Sequence, residues 1–275
     1  MYDFYFADEK QIECRQEDWL LWIKRLLPRW CNSIPDSEYL AIIHALEKNV
    51  GTNGESPTLV ETGCGASTLA LLNSAIRGGG VLYTWDMNNL KASYLRGVAC
   101  ETLGRHYGCD VNKHWKFVGY NSTSREAGVS MLQELKLKVN FCFLDSEHTL
   151  STVLEELNAL APVLASGAVV AIDDANYQYK TRNLAYINMI RRKVGLAPID
   201  EKDDDLGNCF YVEVEKFLVE TFTRVEKLKD TYKDEYQNDI FWEYFATDRS
   251  SMSSLGMEKI GMLEHRFDSW KICSI

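Results

Sequence analysis

Apolar residues recur at helical spacing near the start of the chain and predict a helix there. They make one broad face until Pro28 and are Trp19, Trp22, Ile23, Leu26, Leu27 and Trp30. Such a stripe is typical of packing against a core, with a dimer contact or the wall of a pocket as alternatives. Ser33 and Asp36, spaced as in a capping box, predict a second helix that runs to about Lys48. We expect residues 1–55 to form a helical cap before the main fold.

A different pattern begins at Thr58, where short apolar runs alternate with amphipathic stretches. The apolar runs are Thr58 to Thr62, Val81 to Trp85, Trp115 to Val118, Val139 to Leu144 and Ala168 to Ile172. The helical stretches between and after them lie at about 67–77, 88–107, 125–136, 150–164 and 181–194. Strands that alternate with helices predict a doubly wound α/β fold with a mostly parallel sheet, which we assign to residues 56–275.

The hydrophobic pattern of the tail is mixed. Residues 218–236 keep a helical spacing, whereas residues 241–245 and 266–273 are typical of strands that could pair antiparallel. Residues 209–214 fit a strand and a helix start equally well. The charged run at 201–205 is typical of a solvated loop, with a lid as the alternative.

The amino-acid composition and net charge argue against several classes of function. The 275 residues carry 30 Lys and Arg against 40 Asp and Glu, a net charge of −10, which argues against nucleic acid or an anionic membrane as the main partner. No apolar run approaches the roughly 18 residues of a membrane span, and the first residues lack the features of a signal peptide. The eight cysteines form no Cys-x-x-Cys pair. We therefore expect a cytoplasmic enzyme with reduced thiols.

A glycine-containing turn follows the first predicted strand. The segment Val60-Glu61-Thr62-Gly63-Cys64-Gly65-Ala66-Ser67-Thr68 leads directly into a helix. Gly63 and Gly65 allow a ligand to approach the backbone, and Ser67 or Thr68 can cap the helix. Asp86, at the end of the next strand, is placed to accept hydrogen bonds from ribose hydroxyls. This arrangement indicates a nucleoside-containing cofactor, and a glycine turn that serves only the fold is the alternative.

Two details favour S-adenosylmethionine over NAD. Glu61 lies just before the first glycine, where a carboxylate suits a cationic amino-acid group and disfavours a pyrophosphate. The chain also has no Tyr-x-x-x-Lys motif, and the absence of any Gly-Lys dipeptide excludes a P-loop.

Acidic residues follow two later apolar strands. Asp145 comes after Leu144, and Asp173 and Asp174 come after Ile172. If these strands are neighbours they lie about 4.8 Å apart, and the carboxylates converge at the edge where ligands bind. Like charges packed so closely favour a hard divalent cation. We therefore predict Asp145, Asp173 and Asp174 as ligands of Mg²⁺, although metal-independent enzymes can also carry acids at these positions.

The run from Leu59 to Asn176 resembles class I S-adenosylmethionine-dependent methyltransferases, and among them the macrocin O-methyltransferase and cephalosporin hydroxylase-like group. The resemblance rests on Glu61-Thr62-Gly63-Cys64-Gly65 with Asp86, then Asp145-x-x-His148-Thr149, a helix, Ala168 to Ile172 and Asp173-Asp174. The chain departs from the group at Ser166-Gly167-Ala168, where Pro-Gly-Gly is common, and at Ala66, where glycine is common.

The resemblance implies a Rossmann-like methyltransferase fold and specific roles for these residues. Glu61, Gly63, Gly65, Ser67 and Asp86 are expected to bind the cofactor, with Ser122 near its adenine. Asp145, Asp173 and Asp174 would bind Mg²⁺. His148 would be the general base, with Asp145 beside it in the catalytic group.

The chemistry of His148 agrees with that role. A neutral imidazole with a pKa near 6.5 can take a hydroxyl proton at physiological pH. The alternative is a histidine that caps the next helix or bonds to a neighbouring acid.

Three hypotheses follow from the sequence. The leading one is an O-methyltransferase that acts on a small molecule, with sugars or polyhydroxylated natural products as the substrate class implied by the resemblance. The others are a nicotinamide-dependent oxidoreductase and a non-catalytic cofactor-binding protein on the same fold. The sequence leaves open whether the chain forms a homo-oligomer.

Overall fold

The computed structural model describes residues 16–50, 56–147, 149–173, 188–189, 191–192, 195–198, 210–230 and 268–274. The helices are α1 (Gln16–Leu26), α2 (Asp36–Asn49), α3 (Ala66–Arg77), α4 (Asn89–Ala99), α5 (Val111–His114), α6 (Met131–Glu134), α7 (Leu150–Leu160) and α8 (Phe210–Thr221). The strands are β1 (Thr58–Thr62), β2 (Val81–Trp85), β3 (Trp115–Val118), β4 (Val139–Leu144), β5 (Leu164–Ile172), β6 (Arg224–Lys227) and β7 (Asp268–Ser274). Short helical turns lie at Arg29–Cys31, Cys100–Gly104, Arg105–Tyr107 and Ala161–Val163.

The strands form one sheet in the order β3-β2-β1-β4-β5-β7-β6. Strands β1 to β5 pair in parallel, whereas β7 pairs antiparallel with both β5 and β6. The predicted mostly parallel, doubly wound sheet with a C-terminal antiparallel pair is therefore confirmed. The first four predicted strands also have the bounds that the apolar runs indicate.

The sheet is covered on both faces, as alternation along β4 shows. Phe141 and Phe143 pack into a core with α1 to α4, whereas Cys142 and Leu144 pack into a second core with α7 and α8. A parallel strand buried on both faces reads as a continuous apolar run, which explains why β4 has no polar face in the sequence. No helix in the described ranges is both long and apolar enough to cross a bilayer.

Helix α1 packs onto α2 and α3 through part of its predicted apolar stripe. Ile23 and Leu27 are buried, whereas Leu26 is 45% and Trp30 53% exposed. The stripe therefore serves packing mainly at its centre, and Trp30 leaves the core in the turn after Pro28.

The predicted capping box before α2 is wrong. Pro35 occupies the N-cap position and no side chain caps the helix. Asp36 instead pairs with Lys24 at 2.7 Å and with Arg25 at 2.9 Å. Ser33 is exposed. The acid that the spacing assigned to the cap therefore ties α2 to α1.

The predicted helix at 125–136 is mostly wrong, because only Met131–Glu134 is helical. In the preceding turn, Ser124 Oγ accepts hydrogen bonds from the backbone N–H groups of Glu126 and Ala127, both at 3.3 Å. A serine side chain that captures nearby N–H groups competes with helix formation.

One strand prediction and one helix prediction need correction as well. β5 begins at Leu164 and not at Ala168, with an irregular register between its two ends. The helical spacing predicted for 218–236 ends at Thr221, after which β6 pairs with β7. The stretch at 209–214, which fitted a strand and a helix start equally well, is helical from Phe210 onward. The charged run, the predicted strand at 241–245 and most of the predicted helix at 181–194 lie outside the described residues.

Candidate active site

The five parallel strands β1 to β5 end on the same side of the sheet, where the predicted functional residues follow them. Gly63 N–H donates to Trp85 O at 2.7 Å, and Asp145 N–H donates to Thr62 O at 2.9 Å. Asp173 N–H donates to Leu144 O at 3.0 Å. These bonds continue the sheet by one residue beyond each strand. β4 and β5 are neighbours, as the clustering of their acids requires.

The glycine turn is shaped by close contact with the end of β4. Gly63 has a φ of +82°, and a Cβ there would lie 1.9 Å from Asp145 O. Any side chain would therefore separate the turn from β4. A Cβ on Gly65 would lie 3.6 Å from Cys31 O and 4.0 Å from Lys91 Nζ. The second glycine thus lies beside the N-terminal helical region and the first turn of α4.

The buried side chain of Glu61 holds the glycine turn in place through hydrogen bonds. Its carboxylate is fully buried and accepts hydrogen bonds from Ser67 at 2.6 Å, Thr68 at 2.7 Å and Thr84 at 3.1 Å. Burial raises the pKa of Glu61 to about 7, and the three hydroxyls and the charge of Lys91 oppose that rise. The carboxylate predicted to meet the cofactor is thus already engaged by hydroxyls of β2 and α3.

The Ser67 hydroxyl points at Glu61 and does not cap α3. Gly65 is the N-cap residue, with no side-chain cap. Thr68 makes the reciprocal contact, because its hydroxyl accepts the Gly65 N–H at 2.9 Å while donating to Glu61. The turn is therefore ordered by a chain of hydrogen bonds that ends on one carboxylate.

Asp86 follows β2 and faces the glycine turn. Its Oδ2 accepts the Cys64 N–H at 2.9 Å, and its Oδ1 accepts the Asn88 N–H at 2.7 Å. Lys91 Nζ lies 3.9 Å from Oδ2, and the Asp86 side chain is 15% exposed. The acid predicted to bind ribose is thus held against the turn and stays accessible at the edge of the sheet.

Lys91 brings a positive charge into this acidic region. Burial lowers the pKa of Lys91, but the charges of Asp86, Asp145 and Glu61 outweigh burial and raise it above its ordinary value. The ammonium group therefore compensates part of the acidic charge at the strand ends.

The predicted metal and base residues are only partly described. Asp145 and Asp173 follow neighbouring strands, whereas Asp174 and His148 lie outside the described residues. In the part of the chain that the structure describes, no group of three His, Cys, Asp or Glu side chains is arranged to hold a metal ion. Binding of Mg²⁺ stays a prediction.

Ser122 lies in the turn after β3, and its hydroxyl points into the protein. It donates to Glu156 Oε1 at 2.5 Å, and the residue is only 5% exposed. The side chain predicted to lie near the adenine therefore contacts an acid of α7. A contact of Ser122 with the cofactor stays a prediction.

The sequence reasoning missed Glu156 and Lys91. Glu156 lies on the apolar face of α7, three residues after Val153 and four before Leu160, which are both buried. An acid at such a position is unusual enough to be noticed. Lys91 carried no comparable signal, because a lysine in the first turn of a helix is ordinary.

The β4 turn, residues 145–149, has a second anchor at Glu147. Arg191 Nη1 contacts both of its carboxylate oxygens, at 2.8 and 2.7 Å, and the Thr152 hydroxyl donates to it at 2.9 Å. Thr149 then caps α7 by accepting the Thr152 N–H. Asp145, Glu147 and Thr149 therefore each make hydrogen bonds to neighbouring elements.

Comparison with known proteins agrees with this geometry. A family model described as a methyltransferase domain matches residues 60–175, which include the glycine turn, Asp86 and the ends of β4 and β5. No curated protein matches the chain.

Solved structures share the fold at low identity. Cofactor-bound Rv0187 from MTB is 12% identical with a TM-score of 0.52, over 98% of this chain and 95% of that one. The O-methyltransferase TomG from Streptomyces achromogenes, in complex with SAM, is 14% identical with a TM-score of 0.51, over 99% and 96% of the two chains. The methyltransferase-domain match therefore covers the strand ends that carry the predicted site residues, within a sheet that has the fold of these solved structures.

Proposed function

We propose that the chain transfers a methyl group from S-adenosylmethionine to a hydroxyl of a small molecule, with sugars or polyhydroxylated natural products as the acceptor class. The observation that carries the proposal is the apposition of Asp86 and the glycine turn, joined by the Cys64 N–H bond of 2.9 Å. TomG, similar over nearly its whole length, is itself an O-methyltransferase solved with SAM.

Each cofactor-binding residue has a distinct task in this proposal. Asp86 accepts hydrogen bonds from the ribose hydroxyls, and Gly63 and Gly65 let the cofactor approach the backbone. Glu61 and Ser67 act by shaping the turn, because their side chains bond to each other at 2.6 Å.

When bound, the cofactor would supply an electrophilic sulfonium methyl group to the acceptor oxygen, and S-adenosylhomocysteine would be the leaving group. His148, three residues after Asp145, takes the hydroxyl proton as the new O–C bond forms. Asp145 holds the acceptor side of the site, and its N–H is fixed to Thr62. Positioning of the acceptor against the methyl group supplies much of the acceleration.

A thermal-shift measurement tests the cofactor assignment. S-adenosylhomocysteine and S-adenosylmethionine should each raise the melting temperature, because a ligand that binds only the folded state stabilises it. NAD serves as the control. Stabilisation by NAD but not by either adenosyl compound would overturn the proposal.

The role of His148 is tested by substitution. His148→Ala should lower kcat by about 10²- to 10⁴-fold, the usual contribution of a general base, and leave S-adenosylhomocysteine affinity nearly unchanged. His44→Ala, in helix α2, is the matched control. An equally active His148→Ala enzyme would remove this residue as the base.

Metal dependence is a separate question. Lys91 already provides a cation 3.9 Å from Asp86, and the charge of Asp145 contributes to raising the pKa of this lysine. If Asp145, Asp173 and Asp174 bind Mg²⁺, activity is lost on exhaustive chelation and returns with added Mg²⁺. Full activity after chelation would contradict a catalytic metal site and leave the methyl transfer assignment intact.

A further inference from the structure

A buried acid lies beneath the proposed active site, on the opposite face of the sheet from Glu61. Glu156 of α7 has no exposed surface. Its carboxylate accepts hydrogen bonds from Thr62 at 3.2 Å, Ser122 at 2.5 Å and Ser146 at 2.7 Å. A carboxylate that accepts several hydroxyl hydrogen bonds can be held buried, because the bonds offset the loss of water.

The three donors belong to three separate segments at the edge of the sheet. Thr62 ends β1 directly before Gly63, Ser122 lies in the turn after β3, and Ser146 follows Asp145 in the β4 turn. Ser122 and Ser146 donate to the same oxygen, Oε1. Oε1 of Glu156 therefore sets the distance between the turn after β3, residues 119–124, which we call the β3 turn, and the β4 turn.

The charge of this acid acts on its surroundings. Burial and then the charge of Glu156 raise the pKa of the Cys142 thiol of β4 above its ordinary value. Cys142 lies in the same core as the apolar face of α7. Glu156 is thus an electrostatic neighbour of β4 as well as a hydrogen-bond partner of its turn.

β1 is held from both faces by these acids. Successive residues of a strand point to opposite faces, so Glu61 points toward α3 and Thr62 toward α7. Glu61 orders the glycine turn through Ser67 and Thr68, and Glu156 orders the neighbouring turns. Glu61 therefore orders the glycine turn on one face of the sheet, and Glu156 orders the β3 and β4 turns on the other.

We propose that Glu156 is a positioning residue that couples the β3 turn to the β4 turn, so that cofactor binding at the first fixes Asp145 in the second. The inference rests on the proposed function. Its physical basis is the shared oxygen, because displacement of Ser122 by a ligand changes the environment of the oxygen that also holds Ser146.

The test measures hydrogen exchange with S-adenosylhomocysteine as the probe. In the native chain, this ligand should slow exchange both in residues 119–124 and in the β4 turn, residues 145–149. Glu156→Gln should keep binding the ligand about three- to tenfold more weakly, as expected for impaired hydrogen bonds to a buried charge. In that variant, the ligand should protect residues 119–124 but no longer protect the β4 turn.

Two further variants make the result specific. Glu155→Gln changes the adjacent, exposed acid of the same helix and should preserve protection in both segments. Ser146→Ala removes a single hydroxyl and should abolish ligand protection of the β4 turn even if Glu156→Gln does not fold. A purely structural role for Glu156 predicts equal protection of both segments in every folded variant, and that result would overturn the inference.

Failure of the proposed function is recognised separately. If the native chain does not bind S-adenosylhomocysteine, the proposed function fails and the inference fails with it. If the native chain binds this ligand and all folded variants behave alike, only the role of Glu156 is lost.

Discussion

The buried carboxyl of Glu61 should make the stability of the protein depend on pH in a specific way. Its pKa is about 7 in the folded chain, against an ordinary value of 4.5. Between these two values the folded state binds a proton that the unfolded state has lost, so the free energy of unfolding falls as pH rises. The stabilisation is complete below 4.5 and is lost as pH passes through about 7.

The magnitude follows from the two pKa values. Each pH unit between them changes the free energy of unfolding by about 1.4 kcal/mol, which gives about 3 kcal/mol in total. Glu61→Gln preserves the shape of the side chain and removes the titration. Its amide oxygen can still accept from Thr68 and Thr84, and the Ser67 hydroxyl can rotate to accept the new N–H.

Urea unfolding followed by tryptophan fluorescence at pH 5, 6, 7 and 8 measures this effect. The native chain should lose about 3 kcal/mol more than Glu61→Gln between pH 5 and pH 8. Glu134→Gln, which removes an exposed acid of α6, should follow the native chain. Parallel curves for the native chain and Glu61→Gln would refute a raised pKa at this site.

Three other substitutions test the packing of the glycine turn, the exposed face of α4 and the ion pair between α1 and α2. Gly63→Ala should destabilise the chain by about 3 kcal/mol or more in the same urea titration, because its Cβ would meet Asp145 O at a positive φ. Gly97→Ala, on the exposed face of α4, should stabilise the chain by up to about 1 kcal/mol. Asp36→Asn should cost about 3 to 5 kcal/mol at pH 7, because it removes the negative charge that lies 2.7 Å from the buried ammonium group of Lys24. Burial raises the pKa of Asp36, but its cationic partners lower it overall. The cost of the substitution should therefore disappear as pH falls through that lowered pKa. Equal melting temperatures of the native chain and Asp36→Asn at pH 7 would contradict the pairing.

The sheet could be predicted from the sequence because its strands are continuous apolar runs. A strand such as β4, buried on both faces, is apolar apart from Asn140, and its bounds are therefore visible without tertiary information. The same pattern showed that Asp145 and Asp173 each follow such a strand, whereas their adjacency depended on a strand order that the sequence left open and the sheet provides.

The side-chain partners within the site could not be predicted in the same way. Glu61 was recognised as important from its position, but its buried contacts with Ser67, Thr68 and Thr84 depend on how α3 and β2 pack. Residues 125–130 were predicted as the start of a helix, because local competition by the Ser124 side chain is not part of a periodicity argument.

The position of β7 has a consequence for folding. Val169 and Val170 of β5 pair with Lys271 and Trp270, residues far away along the chain, so a long loop must close before β5 gains its second neighbour. Until then, the apolar run Ala168 to Ile172 presents an unpaired edge, the kind of surface on which chains associate. Docking of β7 buries Trp270 completely and covers that edge. The slowest and most aggregation-prone stage of folding should therefore be the docking of β7, and the fluorescence of Trp270 should report when it is complete.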